Sequence, residues 1–263
     1  MHPRMRQAAQ AAKRLADRAG VEVRRKDTGV RRTPEAVLAH VKRLGFSPAS
    51  VIDVGVAYGT PELYDAFPSA RFLLVDPLEE YAEAIGQITG RLRDAEWVRA
   101  AAGPSPGELE IVVNRAPALS SMLGHWKGQD DGGRARTVPV VRIDDLVAER
   151  SLPGPYLLKA DVEGAELRVL DGAPRVLEQT ELVLLEVNLF EFLPGQPQLH
   201  DVVGYMRERG FVTYDFYGGH VRLLDDALAM TNMAFVREDG MFRRSHDFAT
   251  GEQAREMYEG WGF

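Results

Sequence analysis

Residues 50–60 read Ser-Val-Ile-Asp-Val-Gly-Val-Ala-Tyr-Gly-Thr, a short apolar run followed by a loop of small residues. The β-branched residues at the start predict a buried strand that ends at Gly55. The next segment, Glu62–Phe67, fits a helix. A strand, a glycine-containing turn and a helix in this order are typical of the first unit of a parallel α/β sheet.

The same alternation continues along the chain. Apolar runs that fit strands recur at Arg71–Val75, Trp97–Ala101, Leu109–Val113, Tyr156–Ala160, Leu182–Val187, Phe211–Phe216 and Asn232–Val236. Helical segments lie between most of them, including Leu78–Arg91, Glu163–Gln179 and Leu199–Arg209. We therefore expect an α/β fold with a Rossmann-like, mostly parallel, seven-stranded sheet and helices on both faces.

The first 45 residues differ from the rest in charge. They hold 12 Lys and Arg against 4 Asp and Glu, a net charge of +8, whereas residues 46–263 carry −15. We expect a basic helical extension over residues 1–45, with helices at Arg4–Ala19 and from Pro34 to Leu44, and one domain over residues 46–263. Basic arms can contact nucleic acid or lipid, but the preferred interpretation is a helical cap on an acidic body.

Composition excludes several classes of protein. The 263-residue chain has no cysteine, which rules out disulfides, zinc–thiolate centres and thiol nucleophiles. No run approaches the roughly 20 apolar residues that span a bilayer, and the N-terminus does not resemble a secretory signal. We expect a cytoplasmic protein that binds no nucleic acid, has no integral membrane association and uses its N-terminal helices as a candidate homo-oligomer interface.

The loop after the first strand predicts a nucleoside site. Gly55, Ala57 and Gly59 lie at relative positions 0, 2 and 4, whereas the dinucleotide fingerprint has glycines at 0, 2 and 5. Asp76 ends the second strand, where a carboxylate can accept hydrogen bonds from ribose hydroxyls. The methyl group of Ala57 should not prevent ligand binding if the backbone keeps a negative φ there. The alternatives are an NAD-type oxidoreductase, a nucleic-acid-binding module and a non-catalytic nucleoside-binding module.

A second polar cluster follows the strand at Tyr156–Ala160. Residues 158–166 read Leu-Lys-Ala-Asp-Val-Glu-Gly-Ala-Glu, with carboxylates at Asp161, Glu163 and Glu166. Such a group suits a general base or a metal site with oxygen ligands. The structural alternative is a helix start in which Asp161 is the cap and the two glutamates complement the helix dipole.

These motifs resemble the FkbM family of S-adenosylmethionine-dependent methyltransferases over roughly Ser50–Val236. The most specific match is the block at residues 158–166 together with Val-Leu-Asp-Gly-Ala at residues 169–173. Further matches are Ser120-Ser121, residues 140–146, 184–187 and 210–215. The resemblance implies O-methylation of a hydroxyl on a small-molecule acceptor, namely a sugar, a glycan or a polyketide-type natural product.

The resemblance also implies roles for particular residues. The loop at Gly55, Ala57 and Gly59 would pass under the methionine part of S-adenosylmethionine, and Asp76 would hold the ribose. The full set of expected cofactor contacts is Asp53, Gly55, Ala57, Tyr58, Gly59, Thr60, Asp76, Pro77, Ala101, Ser121 and Asp161.

Several side chains could be the base that activates the hydroxyl, and Asp161 and Glu163 are the first candidates. The carboxylates of Asp161, Glu163 and Glu186 could act directly, or could share a Mg²⁺ ion that lowers the pKa of the hydroxyl. His200 and His125 are rivals, because a histidine pKa near 6.5 suits base catalysis at neutral pH. Asn188 is expected to help Glu186 place the acceptor.

Overall fold

The computed structural model describes residues 30–113 and 133–261, without the side chains of the last two. The chain divides into two units, Met1–Arg31 and Arg32–Phe263, and every element named below belongs to the second. The expected helix at Arg4–Ala19 and nearly all of the loop after Val113 lie outside the described residues.

The described residues form ten strands. They are β1 (Ser50–Val54), β2 (Arg71–Val75), β3 (Ala95–Val98), β4 (Ala101–Ala102), β5 (Gly107–Val113), β6 (Arg134–Val141), β7 (Tyr156–Ala160), β8 (Thr180–Asn188), β9 (Phe211–Val221) and β10 (Leu228–Arg237). Seven of them form one sheet in the order β3-β2-β1-β7-β8-β10-β9. All neighbours from β3 to β8 are parallel, and β10 is antiparallel to both β8 and β9.

Helices connect the strands. They are α1 (Pro34–Arg43), α2 (Pro61–Ala66), α3 (Ala82–Arg91), α4 (Ile143–Glu149), α5 (Glu166–Asp171), α6 (Pro174–Glu178), α7 (Leu199–Glu208) and α8 (Gly251–Trp261), with short 3₁₀ turns at Glu79–Tyr81 and Met241–Arg243. Helix α1 begins where the sequence indicates, because the Thr33 side chain accepts a hydrogen bond from the Ala36 N–H and Pro34 stands at the first position.

The sheet is buried on both faces, which explains why its strands are nearly all apolar. Alternate residues of β1 pack into different clusters: Val51 belongs to the core that includes α1 and α2, and Ile52 to the core that includes α4 and α7. Helix α1 contributes Val37, Leu38 and Val41 to the first core. This arrangement confirms the expected α/β fold, since parallel strands covered by helices on both sides lack a polar face.

A second, three-stranded sheet of order β4-β6-β5 was not expected from the sequence. Strand β6 is mostly exposed and contains Pro139, so it lacks the apolar pattern that marks a strand. The expected strand Trp97–Ala101 divides between β3 and β4. The expected helical segment at Glu163–Gln179 begins three residues later, and the break that the sequence predicts near Gly172 and Pro174 separates α5 from α6. Among the described residues, no helix has the length and apolar character needed to cross a membrane.

Candidate active site

A cavity of about 250 Å³ lies at the carboxyl ends of the parallel strands. Its lining includes the ends of β1 and β2, the segment around β4 and the segment after β7. Ligands of open parallel sheets bind at this edge, outside the carboxyl ends of the strands. The lining residues are Val54, Gly55, Ala57, Val75, Asp76, Pro77, Leu78, Tyr81, Ala100, Ala101, Ala102, Ile111, Asp161, Val162, Glu163 and Glu186. Most are small or apolar, and the polar side chains are four carboxyl groups and one tyrosine.

The loop after β1 reaches the cavity through unusual backbone conformations. Gly55 has a φ of 77°, and a Cβ built on it would lie 1.8 Å from the Asp161 carbonyl oxygen. Ala57 has a φ of 47°, so the negative φ that was set as a condition for tolerating its methyl group is not found. The left-handed conformation turns the Ala57 N–H toward Asp76, and a non-glycine residue held there stores about 1 kcal/mol or more of strain.

Asp76 joins the first two strands at the edge of the cavity. Its Oδ2 accepts a hydrogen bond from the Ala57 N–H at 2.9 Å, and its Oδ1 accepts one from the Leu78 N–H at 2.9 Å. Burial raises the pKa of this carboxyl, and the backbone hydrogen bonds oppose that shift. A carboxylate has roughly four acceptor positions, so these bonds leave capacity for ligand hydroxyls.

The turn between β7 and α5 presents Glu163 to the cavity. Glu163 has a φ of 54°, and the next residue, Gly164, has a φ of 94°. Glu166 holds this turn, because its Oε1 accepts hydrogen bonds from Val162 N–H at 3.0 Å and Gly164 N–H at 3.1 Å. The alternative that Asp161 caps the helix is wrong, since α5 begins at Glu166.

The carboxyl groups around this turn are protonated more readily than ordinary ones. Burial, followed by the charges of Glu186 and Asp161, raises the pKa of Glu163 to about 9. Burial and the charges of Asp161 and Glu166 raise the pKa of Glu186 to about 8, although Lys159 opposes the shift. Burial raises the pKa of Glu166 to about 7. The raised pKa values favour the protonated forms of Glu163 and Glu186.

Asp53 lies beneath the site rather than in it. Its side chain is fully buried and accepts hydrogen bonds from the Tyr64 hydroxyl at 2.6 Å and from Lys159 Nζ at 3.0 Å. The same ammonium donates to the Gly55 carbonyl at 3.1 Å and lies 3.8 Å from Asp161 Oδ2. Lys159 thus connects a buried ion pair to the loop after β1 and to Asp161.

A second cavity of about 150 Å³ adjoins the first. Asp161 and Glu186 line both cavities. The remaining lining residues of the second cavity are Pro34, Leu38, Thr60, Leu63, Lys159, Ala160, Leu184, Tyr217, Gly218 and Asn232. Two neighbouring cavities that share carboxyl groups can hold two reactants on either side of those groups.

The other candidate residues are placed as follows. Pro77 and Ala101 line the first cavity, and Thr60 lines the second. Gly59 packs against the Ile88 and Tyr64 side chains, and Tyr58 is 69 % exposed. The exposed His200 lies beside Asp201, and neither it nor the buried Asn188 lines either cavity. Ser121 and His125 lie outside the described residues.

The magnesium alternative gains no support from the described part of the chain. There, no three His, Asp or Glu side chains are arranged so that they could hold a metal ion. Asp161, Glu163 and Glu186 contribute to one cavity without forming a ligand cluster. The raised pKa values of the two glutamates also oppose the ionised state that a cation requires.

Tyr81 is a cavity residue that the sequence did not reveal. It is 2 % exposed and lines the first cavity, and no described protein group accepts or donates a hydrogen bond at its hydroxyl. The sequence pattern predicts that a tyrosine at the start of an amphipathic helix packs in the core, so it does not indicate that Tyr81 lines a cavity.

Comparisons with known proteins identify the family. Residues 53–213 match the methyltransferase FkbM domain. The hexuronic acid methyltransferase AglP of Haloferax volcanii is 30 % identical over 76 residues, which cover 29 % of this chain and 31 % of that protein. The segregation and condensation protein B of Syntrophotalea carbinolica is 29 % identical over 137 residues, which cover 47 % of this chain and 67 % of that protein.

Solved structures of methyltransferases are also similar at low identity. The magnesium protoporphyrin IX methyltransferase of Synechocystis aligns at a TM-score of 0.44 and 12 % identity, covering 77 % of this chain and 76 % of that one. The N-methyltransferase NodS of Bradyrhizobium japonicum aligns at a TM-score of 0.43 and 7 % identity, covering 77 % of this chain and 93 % of that one. Because the FkbM domain match spans more than half of the sequence, the chain belongs to the FkbM family of S-adenosylmethionine-dependent methyltransferases.

Proposed function

We propose that this protein transfers the methyl group of S-adenosylmethionine to a hydroxyl oxygen of a sugar, a glycan or a polyketide-type molecule. The observation that carries this proposal is that Asp161 and Glu186 line both cavities. The cofactor would occupy the first cavity and the acceptor hydroxyl the second. The similarity to a hexuronic acid methyltransferase favours a carbohydrate acceptor.

The residues of the first cavity suit a cofactor without phosphates. Asp76 would accept hydrogen bonds from the ribose hydroxyls, Ala101 would pack against the adenine, and the loop at Gly55 would contact the methionine half. The described lining residues include no Lys or Arg, which a pyrophosphate would favour. This lining therefore argues against the NAD-type alternative.

Asp161 is the best candidate for the base. S-adenosylmethionine supplies an electrophilic methyl group on a sulfonium, so the chain must align a hydroxyl in line with it and accept its proton. Glu163 and Glu186 have raised pKa values, which favour their protonated forms. Asp161 is instead partly exposed and faces the Lys159 ammonium. Asp161 would take the proton, and Glu186 would orient the hydroxyl.

The test is a methyl-transfer assay with S-adenosylmethionine and a panel of monosaccharides, uronic acids, glycans and polyketides, read by mass spectrometry and NMR. With the accepted substrate, Asp161→Asn should lower kcat by about 10²–10⁴-fold, the usual effect of losing a general base. Asp171→Asn, a surface change at a residue bound by Tyr205 and Arg209, is the control. A product methylated on nitrogen or carbon, or an unchanged kcat in Asp161→Asn, would contradict the proposal.

A further inference from the structure

Three polar side chains form a row across neighbouring strands in the wall of the second cavity. Glu186 of β8 pairs in register with Asn232 of β10, and Asn232 pairs in register with Tyr217 of β9. All three residues line the second cavity. Directly opposed residues of antiparallel strands have Cβ atoms about 4.5–5.5 Å apart, so the row can contact adjacent groups of one ligand.

The row interrupts a face of the sheet that is otherwise apolar. Leu184 and Ala234 are the next register pair on this face, two residues from Glu186 and Asn232, and both belong to the core that includes α1. The Tyr217 ring belongs to the same core. Packing explains the two apolar residues and the ring, but it does not explain a half-buried carboxyl and a half-buried amide. Polar groups in such a place indicate a polar ligand or water in the cavity.

The protein does not use these polar groups itself. Tyr217 accepts a hydrogen bond from Thr231 Oγ1 through its backbone carbonyl. In the described part of the chain, no hydrogen bond involves the Tyr217 hydroxyl, the Asn232 amide group or the Glu186 carboxyl. Burial, followed by the charge of Asp161, raises the pKa of Tyr217, so its hydroxyl lies near the carboxylate that also lines this cavity.

A bulge in β9 opens the wall beside the row. Gly218 and Gly219 have φ values of 61° and 115°, and the pairing of β9 with β10 shifts its register next to Asn232. A Cβ on Gly218 would lie 3.2 Å from Asn232 Nδ2, so the missing side chain leaves space at the amide. The Gly218 N–H donates to the Arg32 carbonyl at 2.9 Å, which ties the bulge to the segment before α1. Bulges of this kind re-aim side chains and are common beside active sites.

The row offers the mixture of donors and acceptors that hydroxyl groups require. The Asn232 amide and the Tyr217 hydroxyl can each donate and accept a hydrogen bond. The raised pKa of Glu186 favours a protonated carboxyl, which can do the same. A single alcohol beside Asp161 and Glu186 would leave the other two groups unpaired, whereas a second hydroxyl on the next carbon atom could bind them.

We propose that Asn232 and Tyr217 are specificity residues that bind a hydroxyl adjacent to the one that is methylated, so that the enzyme selects acceptors with vicinal hydroxyls. The inference rests on the proposed placement of the acceptor in the second cavity. Glu186 would orient the reacting hydroxyl, and the other two side chains would bind its neighbour. A sugar ring meets this requirement, and an isolated alcohol does not.

The test compares acceptors that differ in one hydroxyl. Methyl transfer from S-adenosylmethionine is measured with methyl glycosides of several hexoses, with trans-1,2-cyclohexanediol and with cyclohexanol. For the best glycoside, the derivatives that lack one neighbour of the methylated hydroxyl are then assayed. We expect the glycosides and the diol to be preferred over cyclohexanol. One deoxy derivative should have a kcat/KM about 10- to 100-fold lower than its parent, as for the loss of two hydrogen bonds.

Two variants assign this preference to the row. Tyr217→Phe removes only the hydroxyl, and Asn232→Leu replaces the amide with an apolar group of similar volume. With the best glycoside, each should raise KM by about 3- to 10-fold, as for one hydrogen bond, and leave kcat nearly unchanged. The affinity for S-adenosylhomocysteine should not change, because neither residue lines the first cavity. With the deoxy derivative, the variants and the wild type should have the same KM, whereas a purely structural role would affect both acceptors equally.

Tyr214→Phe is the matched control. Tyr214 lies on the same strand, its hydroxyl forms a hydrogen bond with His40 Nε2 at 2.9 Å, and it lines neither cavity. This variant should keep the KM values of both acceptors.

Several outcomes would overturn the inference. An unchanged KM in Tyr217→Phe and Asn232→Leu, or an equal loss with the deoxy derivative, would show that these residues do not bind the neighbouring hydroxyl, and the proposed O-methylation would stand. Equal methylation of cyclohexanol and the diol would have the same meaning. A wild type that binds S-adenosylhomocysteine but methylates none of these probes would remove the acceptor placement. Absence of S-adenosylhomocysteine binding would remove the proposed function, and the inference with it.

Discussion

Gly55 and Asp161 approach each other so closely at the centre of the site that a Cβ on Gly55 would lie 1.8 Å from the Asp161 carbonyl oxygen. The two residues end neighbouring parallel strands, and the Asp161 N–H donates to the Val54 carbonyl at 3.0 Å. The glycine therefore sets the distance between the cofactor loop and the residue proposed as the base.

Gly55→Ala should disrupt the site through this contact. The new methyl group must push β7 away from β1, so we expect a loss of several kcal/mol in the free energy of unfolding and no measurable binding of S-adenosylhomocysteine. Chemical denaturation and calorimetry measure the two effects.

Gly45→Ala separates steric overlap from backbone strain. Gly45 also has a positive φ, but a Cβ there meets nothing within 4 Å. This change should cost only the strain of about 1 kcal/mol and leave ligand binding intact. Equal effects of the two substitutions would show that the contact with Asp161 is unimportant.

Removing the Lys159 ammonium should destabilise the fold. Lys159→Met leaves the fully buried Asp53 without its cationic partner, and breaking a buried pair in this way costs about 3–5 kcal/mol. The double variant Lys159→Met/Asp53→Asn should recover part of that loss, because no buried charge remains unpaired. Urea unfolding measures both values, and an additive double variant would show that the pair does not interact.

Stability should fall as the pH rises from about 5 to about 9. Burial raises the pKa values of Glu163 and Glu186 in the folded state to about 9 and about 8, above the ordinary value of 4.5 for a glutamate. Between these limits the folded state binds more protons than the unfolded state, so raising the pH favours unfolding.

Glu163→Gln provides the comparison for this pH dependence. The amide does not titrate, so the variant should show a shallower decline in the free energy of unfolding between pH 5 and pH 9. Urea unfolding at several pH values gives the slopes. A wild-type stability that rises over this range would contradict the raised pKa values.

The sequence predicts the sheet better than it predicts the site. The central strands are continuous apolar runs because helices cover both faces, so β1, β2, β7 and β8 were placed within a few residues. Strand β6 was missed because its exposed residues pair only with β4 and β5 and need no apolar pattern.

At the site, motif spacing identified the residues that the backbone brings to the cavity, such as Asp76 and Asp161. Motif spacing could not show that Ala57 has a positive φ, or that the Asp53 carboxylate accepts hydrogen bonds from Lys159 and Tyr64. Nor could it show that His200 lines neither cavity, because side-chain environments depend on tertiary packing rather than on local pattern.

Asp76→Asn isolates the proposed ribose contact. The amide cannot accept both backbone hydrogen bonds and has no charge, so we expect roughly a 10- to 100-fold loss of affinity for S-adenosylhomocysteine. Asp144→Asn is the control. Asp144 is equally buried and accepts hydrogen bonds from the Arg175 and Val176 N–H groups, but it lies outside the first cavity.

The most direct test of the account is a calorimetric titration of the wild type, Asp76→Asn and Asp144→Asn with S-adenosylhomocysteine, and of the wild type with NAD. The account predicts one micromolar site for S-adenosylhomocysteine that weakens in Asp76→Asn and persists in Asp144→Asn, with no binding of NAD. Absence of S-adenosylhomocysteine binding in the wild type, or binding that does not depend on Asp76, would contradict the assignment of this cavity to the cofactor.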